Sequence, residues 1–189
     1  MRDAAIVEIG IRETATYCEF AEFAYSNIDQ SGAQDVAQTF FFIHSFIAHC
    51  STAARLVWSE EFAGHADGRS IAQMLDVPRH CRGHQVNVRE LMENYDRRLA
   101  QGLAMRGEVE KILDGNVGDR DAFEQEFSIF LRHYDPSVDV LTVMEEEISL
   151  QRLRTEIADI RARATAWLAD KAVLMNRPAE VTIRPSEAS

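Results

Sequence analysis

Positive charge is scarce in this chain. Twenty Lys and Arg stand against 31 Asp and Glu, a formal charge of −11. A molecule with that balance repels nucleic acid at long range, which argues against a non-specific nucleic-acid coat protein. Lysine is rarer still, with only Lys111 and Lys171. The cationic side chains are therefore nearly all arginine, the better residue for bidentate phosphate contacts; an arginine-rich genome would leave the same bias. Cysteine is limited to Cys18, Cys50 and Cys81, an odd and widely spaced set that reads as reduced thiols, not a disulfide framework. No basic start leads into an apolar run at the N-terminus, so no signal peptide is expected. The most apolar stretch, Phe40 to Trp58, is interrupted by His44, His49 and Arg55, and is expected to be a buried helix and not a membrane span. There is no Gly-rich phosphate loop, no Gly-x-Ser-x-Gly, no internal repeat and no low-complexity tract.

What is present is a globular apolar fraction, 46%, in a chain of 189 residues, enough for one domain with a real core. Helical periodicity runs through residues 3–28 and, most strongly, 34–58, where Val36, Phe40, Ile43, Ile47, Cys50 and Ala54 fall on one face. A short helix over 70–75 stops before Pro78. A polar loop, Arg79 to His84, leads to a further helix over about 85–101. Glycines punctuate the next connection, and 119–126 reads as an acidic turn. Over 127–147 the period changes to two around Tyr134-Asp135-Pro136-Ser137, which predicts a β-hairpin. A last helix follows over 149–175. The expected architecture is mainly α: a bundle of four to five helices with a small hairpin before the last, in one domain over 1–176, then a flexible tail over 177–189.

The helix over 85–101 carries the most chemistry. Val88, Leu91 or Met92, Tyr95 and Leu99 form its apolar stripe, while Arg89, Glu93 and Asp96 share a neighbouring face and Asn94 and Arg97 lie further round. Arg89, the polar Glu90 and Asn94, with four residues between Arg89 and Asn94, resemble a degenerate form of the Arg-polar-x-His signature of the HEPN superfamily. The run Glu93-Asn94-Tyr95-Asp96-Arg97-Arg98-Leu99 is similar to a bacterial HEPN-like subgroup. That family implies an all-helical, homodimeric, metal-independent ribonuclease of toxin–antitoxin, defence or stress systems, with no cofactor and a composite site at the two-fold axis. Its His moves a proton and its Arg steadies charge on the phosphorane.

Here the His is replaced by Asn94, which cannot exchange a proton near pH 7, so nuclease activity is expected to be weak or absent. Arg89 remains as a phosphate contact, with Glu90, Glu93, Asp96 and Arg97 in support. The competing reading is a helix laced with surface ion pairs, in a non-catalytic homodimeric scaffold that meets a protein partner. A second match to the loose pattern, Arg79 to His84, contains Gly83 and is expected to be coincidental, unless its loop folds over to lend His80 or His84 as the missing imidazole. His44, His49, Cys50, His80, Cys81 and His84 are metal-ligand types without a recognised spacing, so no metal site is expected. The acids at 145–147 are expected at a solvated strand end. The expected protein is cytoplasmic, free of membrane, and bound to RNA or to a nucleotide phosphate.

Overall fold

A computed structural model describes residues 2–31, 35–65, 68–81, 88, 90, 94–95, 97, 100, 111–123, 128–144 and 146–175. Helix predominates among them. Two long helices, α1 (Arg2–Ser31) and α2 (Val36–Val57), pack along one another, and α1 also packs against the last helix, α4 (Leu150–Met175). A one-turn helix, α3 (Ile71–Met74), lies between, after a 3-10 turn over Phe62–His65.

The helices end where the sequence supplies caps. Asp35 accepts from the Gln38 backbone N–H at the start of α2. Ser70 and Gln73 close a reciprocal capping box on α3, which satisfies backbone donors that the helix leaves open. Most of the α2 stripe is buried: Phe40, Ile43, Ile47, Cys50 and Ala54 are covered, with Phe46 beside them, while Val36 at the start of the helix is exposed. Each of the covered Ile and Phe side chains contributes on the order of 1.5–3 kcal/mol by leaving water. By length and composition α2 would cross a membrane, but this stripe places it in the core of the fold. Close helix packing is needed at Gly10, where an added Cβ would come within 2.9 Å of Ile71 and 2.7 Å of Phe62.

The β region is larger than the expected hairpin. Four strands, β1 (Lys111–Val117), β2 (Ser128–Asp135), β3 (Val140–Val143) and β4 (Glu146–Ser149), form one sheet in chain order. β2 and β3 are the expected hairpin, with its turn over 136–139, and Glu146 and Glu147 are exposed on a strand, as expected. β1 is a correction. Gly115 reads as loop, yet here it has φ +65° at a register shift in the parallel β1–β2 pair, so glycine permits the irregularity instead of ending the strand.

The shifts set which side chains share a face. Arg132 and Tyr134 point toward the helices with Leu141, Val143 and Ile148, while Phe130 and His133 come together on the outer face. Asp139, at φ +53°, ties the layers together. Its carboxylate accepts from the Tyr25 hydroxyl of α1 (2.5 Å) and the Tyr134 hydroxyl of β2 (2.9 Å), and its carbonyl accepts from the Leu150 N–H opening α4. Arg161 of α4 pairs with Glu19 and Glu22 of α1, and Arg163 donates to the Asp76 carbonyl after α3 (2.7 Å).

Candidate functional site

The segment that carries the sequence signature reaches the core through its apolar stripe. Val88 is buried and Tyr95 is half-buried against the core, as its period requires. Glu90 and Arg97 are exposed. Asn94 is half-buried, and its side-chain N–H donates to the Glu90 carbonyl one turn back (3.0 Å). Its amide is therefore engaged along its own turn. Arg89, Glu93, Asp96 and His84 lie outside the described residues. His80 is exposed, and the short stretch 79–81, expected as loop, is helical.

Tyr95 leads to a site that the motif did not name. With His44 and Ile47 of α2, Arg132 of β2, Leu141 and Val143 of β3 and Ile148 of β4, it encloses a cavity of about 200 Å³ between α2 and the inner face of the sheet. The lining is mainly apolar, and His44, Tyr95 and Arg132 are the residues along it that carry polar side-chain groups. Few, placed polar groups in an apolar cleft are the usual composition of a small-ligand site.

The guanidinium is held from two sides. Arg132 donates from Nε to Asp114 Oδ1 (2.8 Å) and from Nη2 to Oδ2 (2.7 Å), a fork-to-fork pair across β1 and β2. Its Cζ lies 5.5 Å from the centre of the Phe40 ring. That geometry consumes one edge of the guanidinium and leaves Nη1 outside the pair. The hydrogen bonds from Arg132 hold the Asp114 carboxyl below its ordinary range, and the same bonds hold the Arg132 proton more tightly. His44 is pushed the other way: burial first, then the Arg132 charge, lower its pKa, with Asp114 opposing. At neutral pH the site therefore presents a fixed, net-neutral Arg132–Asp114 ion pair and a neutral imidazole, which can donate or accept.

No described group of three His, Cys, Asp or Glu side chains is placed to hold a metal ion. The cysteines are also unsuited to nucleophilic work. Burial pushes Cys18 up to about 12, Cys50 well above its ordinary value and Cys81 in the same direction, so all three stay protonated.

Sequence reasoning named His44 as a possible ligand type and Tyr95 as core, and it missed Arg132 and Asp114. One signal was legible. An arginine just after the alternating run Phe127 to Leu131 is a charged residue in a β-forming segment, where partial burial favours a partner, whereas Asp114 before Gly115 carried no such signal. Comparison with known proteins returns no matching family model, no matching curated protein and no matching solved structure.

Proposed function

We propose that this chain binds a nucleotide phosphate in the His44–Tyr95–Arg132 cavity, which Tyr95 borders opposite the sheet. The supporting observation is the pinned arginine. Arg132 is oriented by Asp114 and Phe40 before any ligand arrives, and it lines an apolar slot together with Tyr95 and His44. A preorganised guanidinium suits a phosphate, and the slot suits a flat ring that stacks on an aromatic side chain. Overall acidity argues against a long RNA, and a cavity of about 200 Å³ takes only part of a mononucleotide, its phosphate or its base. The HEPN-like run at 89–99 supports the same ligand class, and in this reading Arg89 is a second phosphate contact. The protein is then a cytoplasmic homodimer with weak or no nuclease activity, because Asn94 stands where the imidazole belongs.

Titration calorimetry with AMP and with a short single-stranded RNA tests the reading. Arg132→Gln should weaken AMP binding by roughly tenfold to a hundredfold, the size of one charge-assisted contact of about 1.5–3 kcal/mol. No binding of either probe to the natural protein refutes it. Asn94→His should raise RNA cleavage without added metal if the helix is a degenerate nuclease site. Intact RNA with a folded, dimeric variant removes that part.

A second reading has its own support. Ile9, Phe20 and Phe23 of α1 and Phe41 of α2 are exposed, the last two of these by about two-thirds (68% and 65%). Exposed aromatics on two packed helices are what an interaction surface would use, and in this reading they form one. A homodimer formed through this face, as in the scaffold alternative, should fall apart with Phe23→Glu plus Phe41→Glu, read as mass by light scattering. AMP binding that survives in the resulting monomer separates the two readings.

A further inference from the structure

The outer face of the sheet holds a second cluster, which the proposed site does not use. A row of polar residues crosses it, one from each strand: Asn116 pairs in register with His133, His133 with Thr142, and Thr142 with Glu147. Residues 118–123, which follow β1, fold over this row. Phe123 and Phe130 flank the His133 ring at 5.7 and 4.8 Å between centroids. Arg120 reaches over Phe130, with Cζ 5.7 Å from its ring centre, to a 2.9 Å ion pair with Glu147. Beneath this cover His133 has no exposed surface.

The cluster is incompletely bonded. Among the described residues, four buried side-chain nitrogens lack a hydrogen-bond partner: Asn116 Nδ2, Arg120 Nε and both ring nitrogens of His133. All four belong to this patch. A buried polar group without a partner costs on the order of 1–3 kcal/mol, and an unpaired buried charge costs more. The neutral imidazole carries the smaller cost, and protonation would convert it to the larger one.

The surroundings determine where a protonated ring would go. From the segment 118–123, Asp119 and Arg120 act on His133; from its own strand, Asp135 does; from β4, Glu147 lies across Thr142 and holds Arg120; β1 and β3 contribute only the uncharged Asn116 and Thr142. The carboxylates attract an imidazolium, and the Gly118 backbone favours one too, without reaching hydrogen-bond geometry to either ring nitrogen. Against them, the ring sits between two phenyl groups and beneath a guanidinium. Burial is the largest influence on it and Arg120 adds to burial, so His133 is neutral at physiological pH. To gain a well-formed acceptor, a protonated ring must shift from its place between Phe123 and Phe130 toward the Gly118 backbone or the carboxylates of Asp119 and Asp135, and residues 118–123, packed over it, must move with it.

We propose that His133 is an acid-operated latch: neutral, it seats residues 118–123 on the outer face of the sheet, and protonated, it releases them. The sign follows from linkage. The closed form binds fewer protons than the open form, so opening becomes easier as pH falls below the ordinary imidazole value, by at most about tenfold per pH unit.

Hydrogen exchange on the full chain, corrected for the intrinsic pH dependence, tests the latch at pH 7.5 and 5.5. Peptides covering 116–123 should exchange several-fold faster at the lower pH, a clearly larger factor than in α1 and α2, which follow only the global loss of stability as His44 and His49 charge. His133→Phe keeps a ring in the gap without a proton to gain, and should abolish this local response. A response of the same size in His133→Phe overturns the proposal, as does the absence of one in the natural protein. Should the variant fail to fold, an NMR titration of the natural protein decides. His133 must titrate below the ordinary imidazole range and together with the backbone signals of 118–123. Titration of the ring while those signals stay fixed overturns the proposal equally.

Discussion

Arg132 and His133 are neighbours on one strand, and they meet opposite conditions on the two faces of the sheet. Inward, Arg132 is forked to Asp114 and backed by Phe40, so its charge is matched and its position fixed. Outward, His133 is more deeply buried and has no partner for either nitrogen. The inner face is a fixed arrangement in which further polar contact is possible. The outer face is a neutral arrangement that a proton can upset. Depth of burial alone therefore says little about what a buried polar residue does; the state of its partners decides.

Four experiments sharpen or break that contrast. The largest effect is expected from the framework that both faces share. Leu141→Ala removes a fully buried side chain of β3, and should cost about 2–5 kcal/mol in urea unfolding. A loss below about 1 kcal/mol would mean that the sheet is not part of the cooperative core.

Acidification comes next. His44, His49 and His133 all have pKa values lowered chiefly by burial, from an ordinary value of 6.5. Groups of this kind contribute stability that is fully present above the unfolded value and lost as pH falls through the lowered folded values. The melting temperature should therefore hold above about pH 6.5 and decline below it, before the carboxylates titrate. A melting temperature that is flat down to about pH 5 would show that these imidazoles charge without cost.

At pH 7.5, His133→Phe should be neutral or stabilising by about 1 kcal/mol, since it deletes an unpartnered polar ring from an aromatic gap. Arg132→Gln should have the smallest effect on stability, within about 1 kcal/mol, because both partners are roughly one-third exposed and water replaces much of the pair. A loss for His133→Phe larger than that for Arg132→Gln would reverse the assignment of the two faces.

Periodicity made the long helices legible, since only a helix turns an apolar residue at every third or fourth position into one continuous face. The last helix begins at Leu150, one residue from expectation, and the hairpin turn occupies 136–139, two residues beyond the expected 134–137, because Tyr134 and Asp135 still pair in β2. β1 was not legible, because Gly115 signals a turn unless the register of the strand beside it is known. The cavity was harder still. Its polar residues come from positions 44, 95 and 132, and their convergence depends on how α2 crosses the sheet. The motif residue at 94 led to the cavity only through its neighbour Tyr95.

The most direct measurement is a two-dimensional NMR titration of the natural protein with AMP, following the His44 and Tyr95 ring signals and the Arg132 side-chain Nε–H. All three should shift together and saturate on one binding curve, while the His133 ring signal stays still at pH 7.5. Silence at millimolar AMP, or shifts confined to other surfaces, would contradict the assignment of the inner face as a phosphate-binding site.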